Sequence, residues 1–274
     1  MRELQQQIIA EMGVKPTIDP AAEVDARVQF LCDYLSASHT AGFVLGISGG
    51  IDSTLAGRLC QLAVDRLTRQ GVEADFVAVR LPHRVQTDED DAAAAMAFVA
   101  AKTDWTFNIA GGVAGVAEEF EKTTGRPISD FNQGNVKARM RMLAQYALAG
   151  ERNLLVVGTD HGAESVVGFF TKFGDGGADI LPLFGLNKRQ NRQLLQHLGA
   201  EERLWTKVPT ADLLDGKPLQ TDESELGLSY DQIDDYLEGR EVPDDIAGSI
   251  EQKYLRTRHK RTTPVTILDT WWRP

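Results

Sequence analysis

Cysteine is nearly absent from this chain: Cys32 and Cys60 are the only two in 274 residues. Both fall in helix-like stretches with no CxxC and no metal spacing, which reads as two buried reduced thiols and leaves no disulfide framework. Long apolar runs are also missing. None approaches the ~20 residues of a membrane span, and the segment Met1 to Gln7 lacks the apolar core of a signal peptide. The expectation is a cytoplasmic-type soluble protein with no membrane partner. Basic excess is lacking too, with 29 Lys and Arg against 40 Asp and Glu and a formal charge of −11. A nucleic-acid partner calls for a basic footprint, so this balance argues against one. There is no G-x-S-x-G elbow, which leaves Ser-His-Asp hydrolysis unsupported. Neither cysteine sits on a strand-turn-helix elbow, so hydrolysis of glutamine by a thiol is equally unsupported. No repeat or low-complexity linker divides the chain.

What is present is ordinary globular composition, 42% hydrophobic and 25% charged, in a chain long enough to bury roughly 70–75% of its unfolded surface around one α/β core. Asp19-Pro20 reads as an N-cap with proline in the first turn of a helix to about Ser38. A strand at 43–47 and a helix at 52–70, closed by Gly71, follow. A second strand spans 75–81. Thr87 caps an Ala-rich helix near 88–102, and a third strand covers 105–109. Helical segments at about 112–123 and 129–149 precede a fourth strand at 154–158. Strands alternating with helices predict a doubly wound, mostly parallel sheet, expected to hold five strands, with helices on both faces. Beyond Gly168 come a glycine-rich connector at 174–177, a helix at 188–198 and a loop at 206–226 that reads as mobile. Ser229 with Gln232 forms a capping box for the helix Tyr230–Leu237. We read one domain over 1–274, with the core sheet at about 40–200 and a helical part at about 227–274.

The most informative run is Phe43 to Leu55, a short apolar strand that enters Ser48-Gly49-Gly50 and leaves as a helix opening on Asp52-Ser53-Thr54. Glycines let backbone approach a ligand, and free N–H groups at a helix start attract phosphate oxygens. The Walker Lys-Ser/Thr pair is missing, so this is a phosphate cradle of another kind. Backbone N–H groups of Gly49 to Ser53 and the hydroxyls of Ser48 and Ser53 supply donors. Asp52 would repel a bare phosphate, which points to a Mg²⁺ ion between them. A tight strand-to-helix turn is the plainer reading of Ser-Gly-Gly alone; the full order strand, Ser-Gly-Gly-x-Asp-Ser, helix is more specific.

Ligands on parallel sheets bind at the carboxyl ends of strands, which singles out 48–53, 80–86 and 159–164. Glu164 is a candidate second metal carboxylate and Thr159 a nucleotide contact. An N-capping Thr or Asp with a solvated Glu would explain that segment by itself, and His161 reads as structural. Lys137, Arg139, Arg141, Lys172, Lys188, Arg189, His259, Lys260 and Arg261 gather where an anionic substrate would lie, although each taken singly is an ordinary surface charge. Phe169 and Phe170 could stack on a ring or simply pack.

These stretches resemble a known family. Ser48 to Thr54 is similar to the pyrophosphatase loop of enzymes that split ATP into AMP and pyrophosphate, with an adenine nucleotide alpha hydrolase-like fold. Arg80 to Gln86 with Asp88-Glu89-Asp90, Asp130 to Arg139, Val157 to Glu164, Gly168 to Asp179, Pro209 to Asp212, Asp234 to Gly239 and His259 to Arg261 sharpen the resemblance to the ammonia-dependent NAD⁺ synthetases. It covers nearly the whole chain. It implies that Gly46, Ile47, Ser48, Gly49, Gly50, Ile51, Asp52 and Ser53 hold ATP, with Arg80, Thr159, Lys188 and Thr210 also on the nucleotide, and that Asp52 and Glu164 bind Mg²⁺. It implies deamido-NAD⁺ contacts from Arg139, Lys172, Asp179, His259 and Lys260, a homodimer with the dinucleotide along the interface, and closing loops at 82–88 and 206–226. Ile51 stands where Gln is frequent, tolerable if its side chain enters the core, and His83 where Tyr is common.

The chemistry so implied is ligation in two steps. The nicotinate carboxylate attacks the α-phosphorus of ATP, giving an acyl-adenylate and pyrophosphate, and ammonia then expels AMP. Asp52, Ser53 and Lys188 are the expected catalytic residues, with Asp179 the acceptor of the ammonium proton. The length leaves no room for an amidohydrolase domain, so free ammonia is the expected nitrogen donor. Two alternatives are a tRNA-modifying or other amide-forming enzyme of the same loop class, and a non-catalytic nucleotide sensor.

Overall fold

The computed structural model describes residues 2–83, 89–210, 213, 216 and 220–273. Helices α1 (Glu3–Met12) and α2 (Pro20–Ser38) lead into strand β1 (Gly42–Gly46), helix α3 (Ile51–Arg69), strand β2 (Asp75–Arg80) and helix α4 (Glu89–Val99). Strand β3 (Thr103–Thr106), helices α5 (Ala110–Thr124) and α6 (Asp130–Arg152) and strand β4 (Leu154–Val156) complete the sheet region. Seven short helices follow: α7 (Gly162–Val167), α8 (Lys188–His197), α9 (Glu202–Thr206), α10 (Asp222–Leu226), α11 (Tyr230–Leu237), α12 (Asp244–Arg256) and α13 (Arg258–Arg261). The caps explain several boundaries. The Asp19 carboxylate accepts from the Ala21 and Ala22 amides with Pro20 in the first turn, and Ser229 with Gln232 makes a reciprocal box at α11.

The strands pair in parallel in the order β3-β2-β1-β4. Alternate residues split the core. Phe43, Leu45, Phe76, Ala78 and Leu155 pack with α2, α3, α4 and α8, whereas Val44, Val77, Val79, Leu154 and Val156 pack with α5 and α6. Both faces are covered, as a parallel sheet requires. A separate apolar cluster joins α1, α7, α11 and α12. Among the described residues no helix is long and apolar enough to cross a membrane.

Among the described residues the sheet has four strands, not the expected five. Beyond β4 the chain makes only an isolated bridge, Val157 to Ile180, in which Gly158 donates to the Ile180 carbonyl and Asp179 and Ile180 donate to that of Val156. Pro182 two residues on has no N–H to extend the ladder. Two other boundaries shift. The helix expected to 102 stops at Val99, where Ala100 turns left-handed at φ 55°, and β3 starts at Thr103, leaving Phe107 beyond its end. Thr87, its expected cap, lies outside the described residues. So does most of the 82–88 loop. In the 206–226 segment, Thr210 bridges Thr221 and α10 fills the last turn.

Chain order matters for function. The path runs from β1 outward through β2 and β3, then crosses back to place β4 on the other side of β1. That reversal opens a crevice at the carboxyl ends of β1 and β4, the place where ligands sit on such sheets.

Candidate active site

The loop after β1 forms the first wall of this crevice. Ile47 still pairs with the Val79 carbonyl of β2, and the backbone then turns through Gly49 at φ 85°. A Cβ on Gly49 would lie 2.9 Å from the Ala92 backbone, so only glycine fits. Gly50 caps α3 without a side chain, and the Ser48 and Ser53 hydroxyls meet at 3.0 Å. Ser53 also accepts from the Ser48 amide, and Ser48 from the Gly50 amide, which folds the cradle on itself. Ile51 is buried in the core beneath α3, as expected for an apolar residue there. The Gln145 side chain of α6 accepts from the Gly46 amide and so ties the cradle to the opposite layer.

After β4 the chain passes Thr159 and enters α7, whose first turn carries Glu164. Since β1 and β4 are hydrogen-bonded neighbours, Asp52 and Glu164 face each other across the crevice. Lys188, the first residue of α8, lies between them, its ammonium 2.7 Å from Asp52 Oδ2 and 3.0 Å from Glu164 Oε1. The helix is capped by Asn187 and Gln190, and the Asp234 carboxylate accepts from the Lys188 and Arg189 amides. The ammonium also sits 4.5 Å from the centre of the Tyr230 ring, within cation–π range. Asn191 donates to Asp52 Oδ1 at 2.8 Å.

The electrostatics follow from this packing. Burial disfavours the Lys188 ammonium, but Asp52 and Glu164 outweigh it and raise its pKa above the usual lysine value. Burial likewise disfavours the Glu164 carboxylate, yet Lys188 and His161 hold its pKa below the usual range. Asp222 is pushed up to about 6 by burial and by Glu164, against the pull of Lys188. Tyr230 has one phenolic hydrogen and lies 3.1 Å from Asp222 and 3.3 Å from Glu164. It donates to one of them at a time; a protonated Asp222 donates to the Tyr230 oxygen and leaves the phenolic hydrogen for Glu164.

Gly46, Ile47, Ser48, Gly50, Ile51, Asp52, Ser53, Thr159, Glu164, Lys188 and Thr210 line a single cavity. Arg80 is not among its lining; it pairs with Glu89 at 3.1 Å. The residues expected on the dinucleotide gather elsewhere, around α6 and α13. Arg139 donates to the Lys172 carbonyl and Lys172 to that of His259. Lys260 donates to the Gly168 and Phe170 carbonyls, and Asp179 accepts from Tyr146 and the Val156 amide. Three other cations from the same gathering have structural partners: Lys137 donates to the Leu213 carbonyl, Arg189 pairs with Asp235 and Glu238, and Arg261 donates to Ser165 and Tyr254.

The reading of the sequence missed Asn191, Asp222 and Tyr230. Lys188 and Asn191 stand three apart on one helix face, a spacing that pointed both at the same site. Asp222 and Tyr230 carried no such signal, because only the return of α10 and α11 onto α7 brings them in. Asp52, His161 and Glu164 offer ligand atoms within 4.8 Å of one another, a donor set suited to a divalent ion.

Comparison with known proteins gives this geometry a context. A family described as NAD synthase matches residues 23–264. The chain is 60% identical over 272 residues to the NH(3)-dependent NAD(+) synthetase of Leifsonia xyli subsp. xyli, covering 99% of this chain and 98% of that one. The NAD+ synthetase of Burkholderia pseudomallei superposes with a TM-score of 0.82 at 47% identity, over 95% of this chain and 96% of the other. The NMN synthetase of Francisella tularensis superposes with a TM-score of 0.79 at 34% identity, over 92% and 100%.

Proposed function

The chain belongs to the NAD synthase family, and from that premise we propose that the cavity between Asp52, Glu164 and Lys188 is where it amidates deamido-NAD⁺ with ammonia, using ATP. The enzyme is an ammonia-dependent ligase of the final step of NAD biosynthesis, and its products are NAD⁺, AMP and pyrophosphate. One observation carries the assignment of the site: two carboxylates from neighbouring strand ends and one buried ammonium converge beside a glycine cradle at the switch point of the sheet.

A carboxylate is a poor electrophile, so the substrate is first activated as an acyl-adenylate. The first amides of α3 and the Ser48 and Ser53 hydroxyls hold the phosphates, and Lys188 neutralises charge developing on departing pyrophosphate. Thr159 and Thr210 line the same cavity and position the nucleotide. The paired oxygen donors of Asp52 and Glu164 fit Mg²⁺, which when bound would neutralise phosphate charge. Asp179, fixed by Tyr146 and the Val156 amide, accepts the proton that ammonium loses before attack. Arg139, Lys172, His259 and Lys260 hold the dinucleotide.

We further assign a homodimer. Phe131 and Leu143 on α6 are 64% and 55% exposed, on the helix that also bears Arg139, and Phe120 of neighbouring α5 adds to the apolar surface. Burying that face against a second copy puts the dinucleotide contacts beside the interface. The unpaired thiols of Cys32 and Cys60 suit a reducing cytoplasm.

The test is an assay with deamido-NAD⁺, ATP, Mg²⁺ and ammonium. NAD⁺, AMP and pyrophosphate should appear in equal amounts. Release of ADP would overturn the mechanism. Nicotinate mononucleotide in the same assay, prompted by the NMN synthetase neighbour, should compete poorly.

A further inference from the structure

His161 has no assigned part in this chemistry, yet it occupies the most enclosed position at the site. Its side chain is fully buried at the N-terminus of α7, where it makes no capping hydrogen bond. Instead the ring turns toward the crevice. Its Nε2 lies 3.4 Å from Asp52 Oδ1 and 3.4 Å from Glu164 Oε1, one contact to each carboxylate. The two equal separations set Nε2 midway between the carboxylates. The other nitrogen, Nδ1, is buried with no hydrogen-bond partner. A hydrogen on Nδ1 would be stranded there, while a bare Nε2 would face two carboxylate oxygens, with the Lys188 ammonium, itself engaged by both carboxylates, 3.5 Å away. A hydrogen on Nε2 meets two carboxylate oxygens instead and leaves only an acceptor, not a donor, buried at Nδ1.

Resting on the reading of Asp52 and Glu164 as the metal carboxylates, we propose that His161 is their positioning residue: its Nε2–H donates to both and sets the separation at which they present oxygens to a divalent ion. Each of those oxygens has another neighbour on its own side, Asn191 for Asp52 Oδ1 and Tyr230 for Glu164 Oε1. Lys188 and His161 each reach both carboxylates. They differ in freedom. The ammonium rides on a flexible stem and can swing toward phosphate, whereas the imidazole is fixed by its buried backbone and by the Tyr230 ring 6.5 Å away. When Lys188 turns to an anion, the imidazole keeps the pair in register.

Mn²⁺ is the probe, titrated by electron paramagnetic resonance against the full chain with a non-hydrolysable ATP analogue. His161→Leu should raise the Mn²⁺ Kd about 10–100-fold, the usual effect of losing an outer hydrogen-bond partner of a ligand. His161→Gln, whose amide donates, should recover most of that loss. In the metal-free wild type, long-range proton–nitrogen NMR should find a hydrogen on Nε2. That measurement needs no variant, so a misfolded His161→Leu does not block the test. An Nε2 without a hydrogen, a nitrogen coupling showing direct Mn–imidazole bonding, or a folded His161→Leu with unchanged Mn²⁺ Kd would each overturn the proposal. Asp52→Asn separates the two levels of the argument. If it weakens Mn²⁺ while His161→Leu does not, the positioning role alone falls. If it binds Mn²⁺ as wild type does, the metal reading falls and takes this inference with it.

Discussion

Lys188 concentrates the physics of the site in one side chain. A buried ammonium is tolerable only because two carboxylates and an aromatic face replace its water. Removing it leaves two acids facing each other with no cation between them, and breaking such a pair costs about 3–5 kcal/mol. Lys188→Met should therefore lower the urea midpoint of the protein, and it should lower kcat by about 10²–10³-fold, as loss of a donor to developing charge does. Unaltered kcat in a folded variant would remove Lys188 from the chemistry. Asp160, beside the site, gives a pH signature. Burial and Glu164 push its carboxyl from 3.8 up to about 7. The folded state then binds more protons than the unfolded one between about pH 4 and 7, so its contribution to stability is lost as pH rises through that window. Asp222 and Asp234, each raised to about 6, add to the same slope at its acidic end. Asp160→Asn should gain stability relative to wild type when urea denaturation is moved from pH 5 to pH 8. An identical difference at both pH values would refute the assignment.

At the scale of elements, the cradle and α8 are held by local devices with clear tests. Gly49→Ala forces a left-handed alanine and drives its Cβ into the backbone of α4. The expected loss is about 1–3 kcal/mol by thermal denaturation, with weaker ATP binding. Devices of this kind were also what the sequence displayed most openly. The Asp19-Pro20 start, the Gly71 stop and the Ser229–Gln232 box rest on neighbours in the chain, and the elements they delimit stand as expected. The fifth strand was not so legible, because a strand exists only where a partner lies, and the chain after Val157 leaves its partner after one bridge. Helix α10 was hidden inside the 206–226 segment, which reads as loop. The site divided along the same line. Asp52 and Glu164 announced themselves through strand-end motifs, but Tyr230 and Asp222 enter by tertiary packing of α10 and α11, which no local pattern encodes.

At the scale of the whole molecule, two layers of helices shield the sheet, and one of them keeps an apolar exterior. Phe131 and Leu143 stand on the solvent side of α6 with Arg139 on the same helix. Leu143→Glu should convert a dimer into monomers in analytical ultracentrifugation and raise KM for deamido-NAD⁺ more than that for ATP. A wild-type monomer would end the interface reading at once. The order of the sheet has a consequence in time as well. β1 and its cradle are made early in synthesis, yet the strand that brings Glu164 opposite Asp52 comes more than a hundred residues later, and Lys188 and Tyr230 later still. A growing chain therefore carries a phosphate loop without the charges that make it useful. If the cavity takes ATP as proposed, a half-made copy lacks those charges for as long as its last helices are unmade.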